Sequence, residues 1–229
     1  MKPVKKLQRT RNFFLAQRRA NHNPLFKAYA FREEIRNSDV EELDLLDDVP
    51  DLFLGNILMA YINRNFLRHD LLPEDEKLLS KMDRMAAQLK SADIVVVAFP
   101  MYNFSMPAIV KAWFDSVMQK GVTFGKGNDG QIVSNTGKKA LTLISSGGVY
   151  SNESFAGREH ALSLSNLEFQ YMEYSDVRGI LAEGMVLKEE VKQTNLNKSI
   201  HQARAIAGEW YRKQEYHSVS VNIISKKKI

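Results

Sequence analysis

Apolar residues run unbroken from Ile94 to Phe99, with three valines at their centre. A strand that is apolar on both faces is buried on both faces, as at the centre of a parallel sheet covered by helices above and below. Pro100 stops it, because proline cannot donate to the ladder. Beyond it the period changes. Ile109, Val110, Trp113, Phe114 and Val117 recur at helical spacing, with Ser105 as N-cap and Pro107 near the first turn, which predicts a helix over 105–119. The connection Pro100–Met101–Tyr102–Asn103–Phe104 therefore lies at the carboxyl end of a central strand, where open α/β sheets bind ligands.

The rest of the pattern alternates in the same way. A short strand is predicted over 12–17, and Asn23–Pro24 starts a helix with the stripe Leu25, Phe26, Tyr29, Ala30 and Ile35. Residues 40–45 suit an edge strand. Residues 46–74 form a long irregular connection, a binding loop or lid with a short helix over 54–66. Helical period returns over 74–89. Four glycines between Gly121 and Gly130 mark a turn-rich loop, residues 140–144 read as a second buried strand, and Ser145–Ser146–Gly147–Gly148 ends it. A helix is predicted over 153–172, a strand over 177–182 and a long polar-faced helix over 189–213. Residues 219–224 read as an edge strand or as a segment extended on a partner. The chain shows no internal repeat and no second domain: a basic arm over 1–11, one domain over 12–215 and an extension over 216–229.

This alternation predicts an α/β doubly wound, mostly parallel sheet with helices on both faces. Right-handed crossovers then bring Pro100–Phe104 and Ser145–Gly148 to the same sheet edge. A flat ligand could be held there by main-chain N–H and C=O groups.

Charge changes the picture only at the ends. The chain of 229 residues carries a formal +5, yet residues 1–36 hold a net +8 and Lys226, Lys227 and Lys228 add three more, which leaves the body at −6. A basic end can bind nucleic acid or an anionic membrane. The preferred reading is a solvated tail, with no nucleic-acid partner. No apolar run reaches the length of a bilayer and the N-terminus lacks the apolar stretch of a signal peptide, so no membrane span is expected. Without cysteine there is no disulfide, thiolate ligand or cysteine nucleophile, which fits a cytoplasmic enzyme.

Hydrolytic and metal signatures are missing, and the five histidines do not cluster at ligand spacing. Such a protein can still do redox chemistry by holding a cofactor. Pro100–Phe124, PMYNFSMPAIVKAWFDSVMQKGVTF, resembles the flavin loop and following helix of the FMN-dependent NAD(P)H quinone oxidoreductases, the azoreductase branch of the flavodoxin-like fold. Gly137–Ser151 resembles that family's second flavin loop, and Val177–Gly184 its last core strand.

The resemblance implies five parallel strands in the order 2-1-3-4-5, a homodimer, and FMN at the carboxyl ends of the strands. NADH or NADPH would reduce the flavin and leave, and a quinone or azo compound would then take two electrons in the same place. No catalytic side chain is implied. Pro100, Met101, Tyr102, Asn103 and Phe104 would wrap the isoalloxazine edge, and Ser145, Ser146, Gly147 and Gly148 would hold its pyrimidine end. Phe124, Tyr150 and Phe155 would wall the nicotinamide and quinone cleft. The helix at 105–120, with Trp113 and Phe114, would form the dimer face. The family's serine-rich phosphate loop has no counterpart, because residues 18–23 contain no serine. Arg18 or Arg19 could neutralise the phosphate, with Asn21, Asn23 and helix amides donating. Alternatively, a flavodoxin-like module with weakened FMN binding serves as a binding or regulatory protein.

Overall fold

The computed structural model describes residues 11–16, 23–35, 38–127, 129–153, 155 and 157–225. Its centre is a five-stranded sheet built from β1 (Arg11–Ala16), β2 (Asp39–Asp44), β3 (Ile94–Pro100), β4 (Lys139–Ser145) and β5 (Asp176–Ala182), in the order β2-β1-β3-β4-β5. Every pairing is parallel. Six helices connect the strands: α1 (Asn23–Glu34), α2 (Gly55–Ile62), α3 (Pro73–Ser91), α4 (Ala108–Val117), α5 (Ala161–Tyr171) and α6 (Glu189–Ser225). A π-helical turn, Asn63–Leu67, continues α2.

β3 shows why an all-apolar strand sits at the centre. Val95, Val97 and Phe99 pack with Trp113, Phe114 and Phe169 from α4 and α5, while Ile94, Val96 and Ala98 pack with Phe31, Ala203 and Trp210 from α1 and α6. Each fully buried Val or Phe contributes about 1.5–3 kcal/mol relative to exposure, so both periods of the strand are paid for at once. α6 is pinned where Trp210 Nε1 donates to Asp176 Oδ2 at 2.7 Å and Arg178 bridges Asp176 and Glu209.

Gly179 shows how closely α5 approaches β5: an added Cβ would stand 2.1 Å from Leu162 Cδ1. Gly179→Ala is expected to cost about 1–3 kcal/mol by overpacking, read as a lower denaturation midpoint.

Four expectations change. The described residues between 151 and 160 are not helical, and α5 starts only at Ala161. Gly157 takes a φ of +81°, and Glu159 Oε1 accepts from the Leu162 N–H at 2.6 Å, which places the start of α5 after it. α4 begins after Pro107, and Ser105 is used in a main-chain bridge with Tyr102 instead of as its cap. Residues 219–224 continue α6 instead of forming an edge strand, so the expected domain boundary at 215 falls inside one helix. Trp113 and Phe114 are fully buried in the chain's own core, so they cannot provide a dimer face.

Among the described residues no helix is long and apolar enough to cross a membrane.

Candidate active site

Two turns meet over the carboxyl ends of β3 and β4. Pro100 is in register with Ser145, and the Met101 N–H donates to the Ser145 carbonyl at 2.8 Å. Tyr102 and Ser105 then exchange two main-chain hydrogen bonds, at 2.9 and 3.0 Å, which close a turn on Asn103 and Phe104. Both turn residues are left-handed, with φ of 46° and 70°. Asn tolerates this region, whereas Phe does so only when its surroundings impose it, at a cost on the order of 1 kcal/mol. One imposing contact is visible: the His160 N–H donates to the Phe104 carbonyl at 2.8 Å and fixes the turn to the start of α5.

The second turn is anchored from β5. The Ser146 N–H donates to the Ala182 carbonyl, the Ser146 hydroxyl to the Gly148 carbonyl at 3.0 Å, and the Gly184 N–H to the same Gly148 carbonyl at 3.0 Å. Ser145 and Ser146 are buried. At Gly147 an added Cβ would come within 3.2 Å of Val186 Cγ1, so the backbone runs too close to its neighbour for a side chain to fit without a shift. Glu183, at the end of β5, reaches across to the same turn. Its Oε1 accepts from the N–H of Tyr150 at 2.6 Å and of Ser151 at 2.9 Å.

Aromatic contacts join the two turns. Phe104 meets Tyr150 edge-on at 6.2 Å between ring centroids, and Tyr150 meets Phe155 at 6.1 Å. The guanidinium of Arg158 lies 5.1 Å from the Phe155 ring centre. The structure thus brings Pro100 to Phe104, Ser145 to Gly148, Tyr150 and Phe155 together. Within one chain Phe124 stands apart. It follows α4 and packs on Tyr171 at the far end of α5, 5.1 Å between centroids, toward the amino ends of the strands. Arg18 and Arg19 lie outside the described residues, and Asn23 opens α1 beyond the carboxyl end of β1.

The donor inventory fits a planar ring with carbonyl and N–H groups along one edge. Among the described residues, the main-chain N–H groups of Asn103, Phe104, Gly147 and Gly148 have no protein acceptor, and the exposed Asn103 side chain has no protein partner. Such donors do not titrate, and Asn103 can also accept. A separate cavity of about 610 Å³, lined by Arg64, Arg68, His69, Asp70, Glu76 and Asp83, opens on the flank of α3, away from these turns. Its charges are partly spent internally, because Arg64 grips Asp83 with two hydrogen bonds of 2.7 Å.

Two residues at this site escaped the sequence reading. Glu183 directly follows the strand predicted over 177–182; its place at the end of a strand next to the Ser-Ser-Gly-Gly turn was the available signal. Arg158 fell in a stretch read as helix, and nothing in that reading set it at the rim of these turns.

A family model of the flavodoxin-like fold matches residues 18–207. An FMN-dependent NADH:quinone oxidoreductase of Idiomarina loihiensis is 34% identical over 137 residues, covering 60% of this chain and 72% of that protein. A protein of the same name from Bacillus subtilis is 28% identical over 189 residues, 81% of this chain and 90% of that one. Two solved structures from Bacillus anthracis share the fold. One is an azoreductase, with a TM-score of 0.77 at 22% identity over 87% of this chain and 99% of that one. The other is an FMN-dependent NADH-azoreductase in complex with FMN, with a TM-score of 0.73 at 23% identity over 86% and 99%. The chain belongs to the flavodoxin-like fold family, among the FMN-dependent NADH:quinone oxidoreductases.

Proposed function

We propose that this protein is an FMN-dependent NAD(P)H oxidoreductase that reduces quinones or azo compounds by two electrons in a ping-pong cycle. The observation that carries the reading is the set of unpaired main-chain donors on two turns at the carboxyl ends of adjacent central strands. Asn103, Phe104, Gly147 and Gly148 would hold the ring edge, with Pro100, Met101, Tyr102, Ser145 and Ser146 framing it. The phosphate would lie over the start of α1, near Arg18, Arg19 and Asn23. When bound, FMN supplies the hydride acceptor for reduced nicotinamide and the two-electron donor for the second substrate. Tyr150 and Phe155 join Phe104 in excluding water from one side of that position and in presenting aromatic surface to a planar acceptor.

A homodimer in the cytoplasm accompanies this reading, with a different face from the helix named above. Leu46, Val49, Leu52, Leu54, Met59 and Phe66 are all about half exposed or more, an apolar stretch that calls for cover. Phe124, remote within one chain, remains a proposed wall of the cleft in such an assembly. Light scattering is expected to give about twice the 26.2 kDa of the chain.

The test of the reading is a visible spectrum of the purified protein before and after incubation with FMN, followed by NADH oxidation with benzoquinone. A yellow protein whose NADH oxidation rises with benzoquinone is expected. A protein that stays colourless and takes up no flavin would overturn it. In the flavin-loaded protein, Glu183→Ala removes the acceptor of two loop N–H groups. It is expected to raise the KM for quinone by about tenfold through a loosened Tyr150. Glu183→Gln, which keeps an oxygen acceptor, should recover most of the loss.

A further inference from the structure

The rim of the same site carries a charged group to which the oxidoreductase reading gives no task. Arg158 is exposed and has no ion-pair partner among the described residues; its N–H donates to the Phe155 carbonyl at 3.1 Å, and its guanidinium lies against the Phe155 ring. That contact belongs to a closed circuit. Phe104 touches Tyr150, Tyr150 touches Phe155, Phe155 touches Arg158, and two residues later the His160 N–H returns to the Phe104 carbonyl. The guanidinium thus lies over the outermost ring of the aromatic wall. Phe104 and Phe155 remain 45% and 41% exposed, so the wall keeps surface for a ligand ring.

Two carboxylates close in sequence or in space are engaged elsewhere. Glu159 accepts from the Leu162 N–H at the start of α5, and Glu183 accepts from the N–H groups of Tyr150 and Ser151. A stacked guanidinium keeps its planar fork of donors, which matches the oxygens of a sulfonate or carboxylate. An aromatic ring against Phe104, Tyr150 or Phe155 would bring a substituent on its edge toward this fork.

We propose that Arg158 selects, among the aromatic electron acceptors of this protein, those that carry an anionic sulfonate or carboxylate on the ring. The inference rests on the oxidoreductase reading and names the substrate class of that site.

The experiment compares naphthoquinone with naphthoquinone sulfonate as acceptors for the full-length, FMN-loaded protein at saturating NADH. The quantity read is the ratio of kcat/KM for the sulfonate to that for the neutral quinone. Arg158→Gln is expected to lower this ratio by about fivefold, the scale of a partly exposed charged hydrogen bond. Arg158→Glu should lower it further, Arg158→Lys should restore part of it, and added salt should compress the ratio in the wild type. Calorimetric titration with naphthalene sulfonate, which accepts no electrons, should show the same order of affinities. A ratio that stays the same in the Gln and Glu variants, or affinities that do not follow charge, would overturn the assignment of Arg158. A wild-type protein that takes up FMN and oxidises NADH in that case leaves the oxidoreductase reading standing. A wild type inactive with both acceptors sinks that reading, and the charge preference falls with it.

Discussion

Trp113→Ala is expected to lower the unfolding free energy by about 3–5 kcal/mol, the largest stability effect of any single truncation considered for this chain. Trp113 is fully buried on α4, stacked on Phe13 of β1 at 6.2 Å and 20°, and set edge-on to Phe114 at 4.9 Å. It therefore ties the helix that follows the first candidate turn to the strand next to β3. Removing the ring leaves a cavity between sheet and helices that their close packing cannot fully close. The indole has a second property: its buried N–H has no partner among the described residues. Trp113→Phe removes that donor along with some volume, so it should cost much less than the alanine change. Urea unfolding of the two variants checks both statements, with the alanine midpoint far below the wild type and the phenylalanine midpoint close to it. Equal losses in the two would overturn both statements.

Glu168→Gln is expected to stabilise the protein, and only above a certain pH. Burial pushes the Glu168 carboxyl up to about 7 from the ordinary 4.5, opposed by Lys111 and assisted by the nearby Asp115. Lys111 Nζ stands 3.6 Å from one carboxylate oxygen but also bonds Asp115, and the second oxygen of Glu168 is buried without a partner. The folded-state pKa lies above the unfolded one. The unfolded chain therefore holds fewer protons than the folded chain between those values, and stability falls as pH rises through that window. At pH above about 7 both states are ionised and the full cost of the buried charge is present. Glutamine carries no charge, so at alkaline pH the variant should be more stable by about 1–3 kcal/mol. The advantage should shrink as pH falls through that window and vanish below the ordinary 4.5, where the wild-type carboxyl is protonated in both states. Thermal or urea midpoints collected across this range give the answer, and a constant difference between the two proteins would count against it.

The flavodoxin-like α/β class was legible because its signal lies in runs that only one environment accommodates. Ile94–Phe99 could only be a doubly covered strand, and Ala140–Ile144 likewise; both are buried along their whole length. What the pattern could not resolve was local competition for the same backbone. The apolar stripe of α5 begins at Leu162, and nothing in the pattern of 153–160 marks where the helix must start; Gly157 and the Glu159 side chain decide it. Ser105 is a good cap by type, but its backbone is committed to Tyr102. Trp113 and Phe114 looked available for a partner because a helix of this composition reads the same whether its apolar side meets a sheet or a second chain. The site was legible as two turns, and Tyr150 and Phe155 do stand beside Phe104. Glu183 and Arg158 were not: Glu183 meets a turn 33 residues earlier, which spacing along the chain does not record, and Arg158 fell in a stretch expected to be helical.

The donors offered by the two turns have a practical consequence for anyone who maps this protein by mutagenesis. Asn103, Phe104, Gly147 and Gly148 present amides that every amino acid except proline also possesses. An alanine scan would leave those amides in place, so whatever it reports at these positions speaks for side chains and packing and not for the donors. Replacing single peptide links by esters, which deletes one N–H and spares the side chain, is the perturbation to which such a recognition surface must answer.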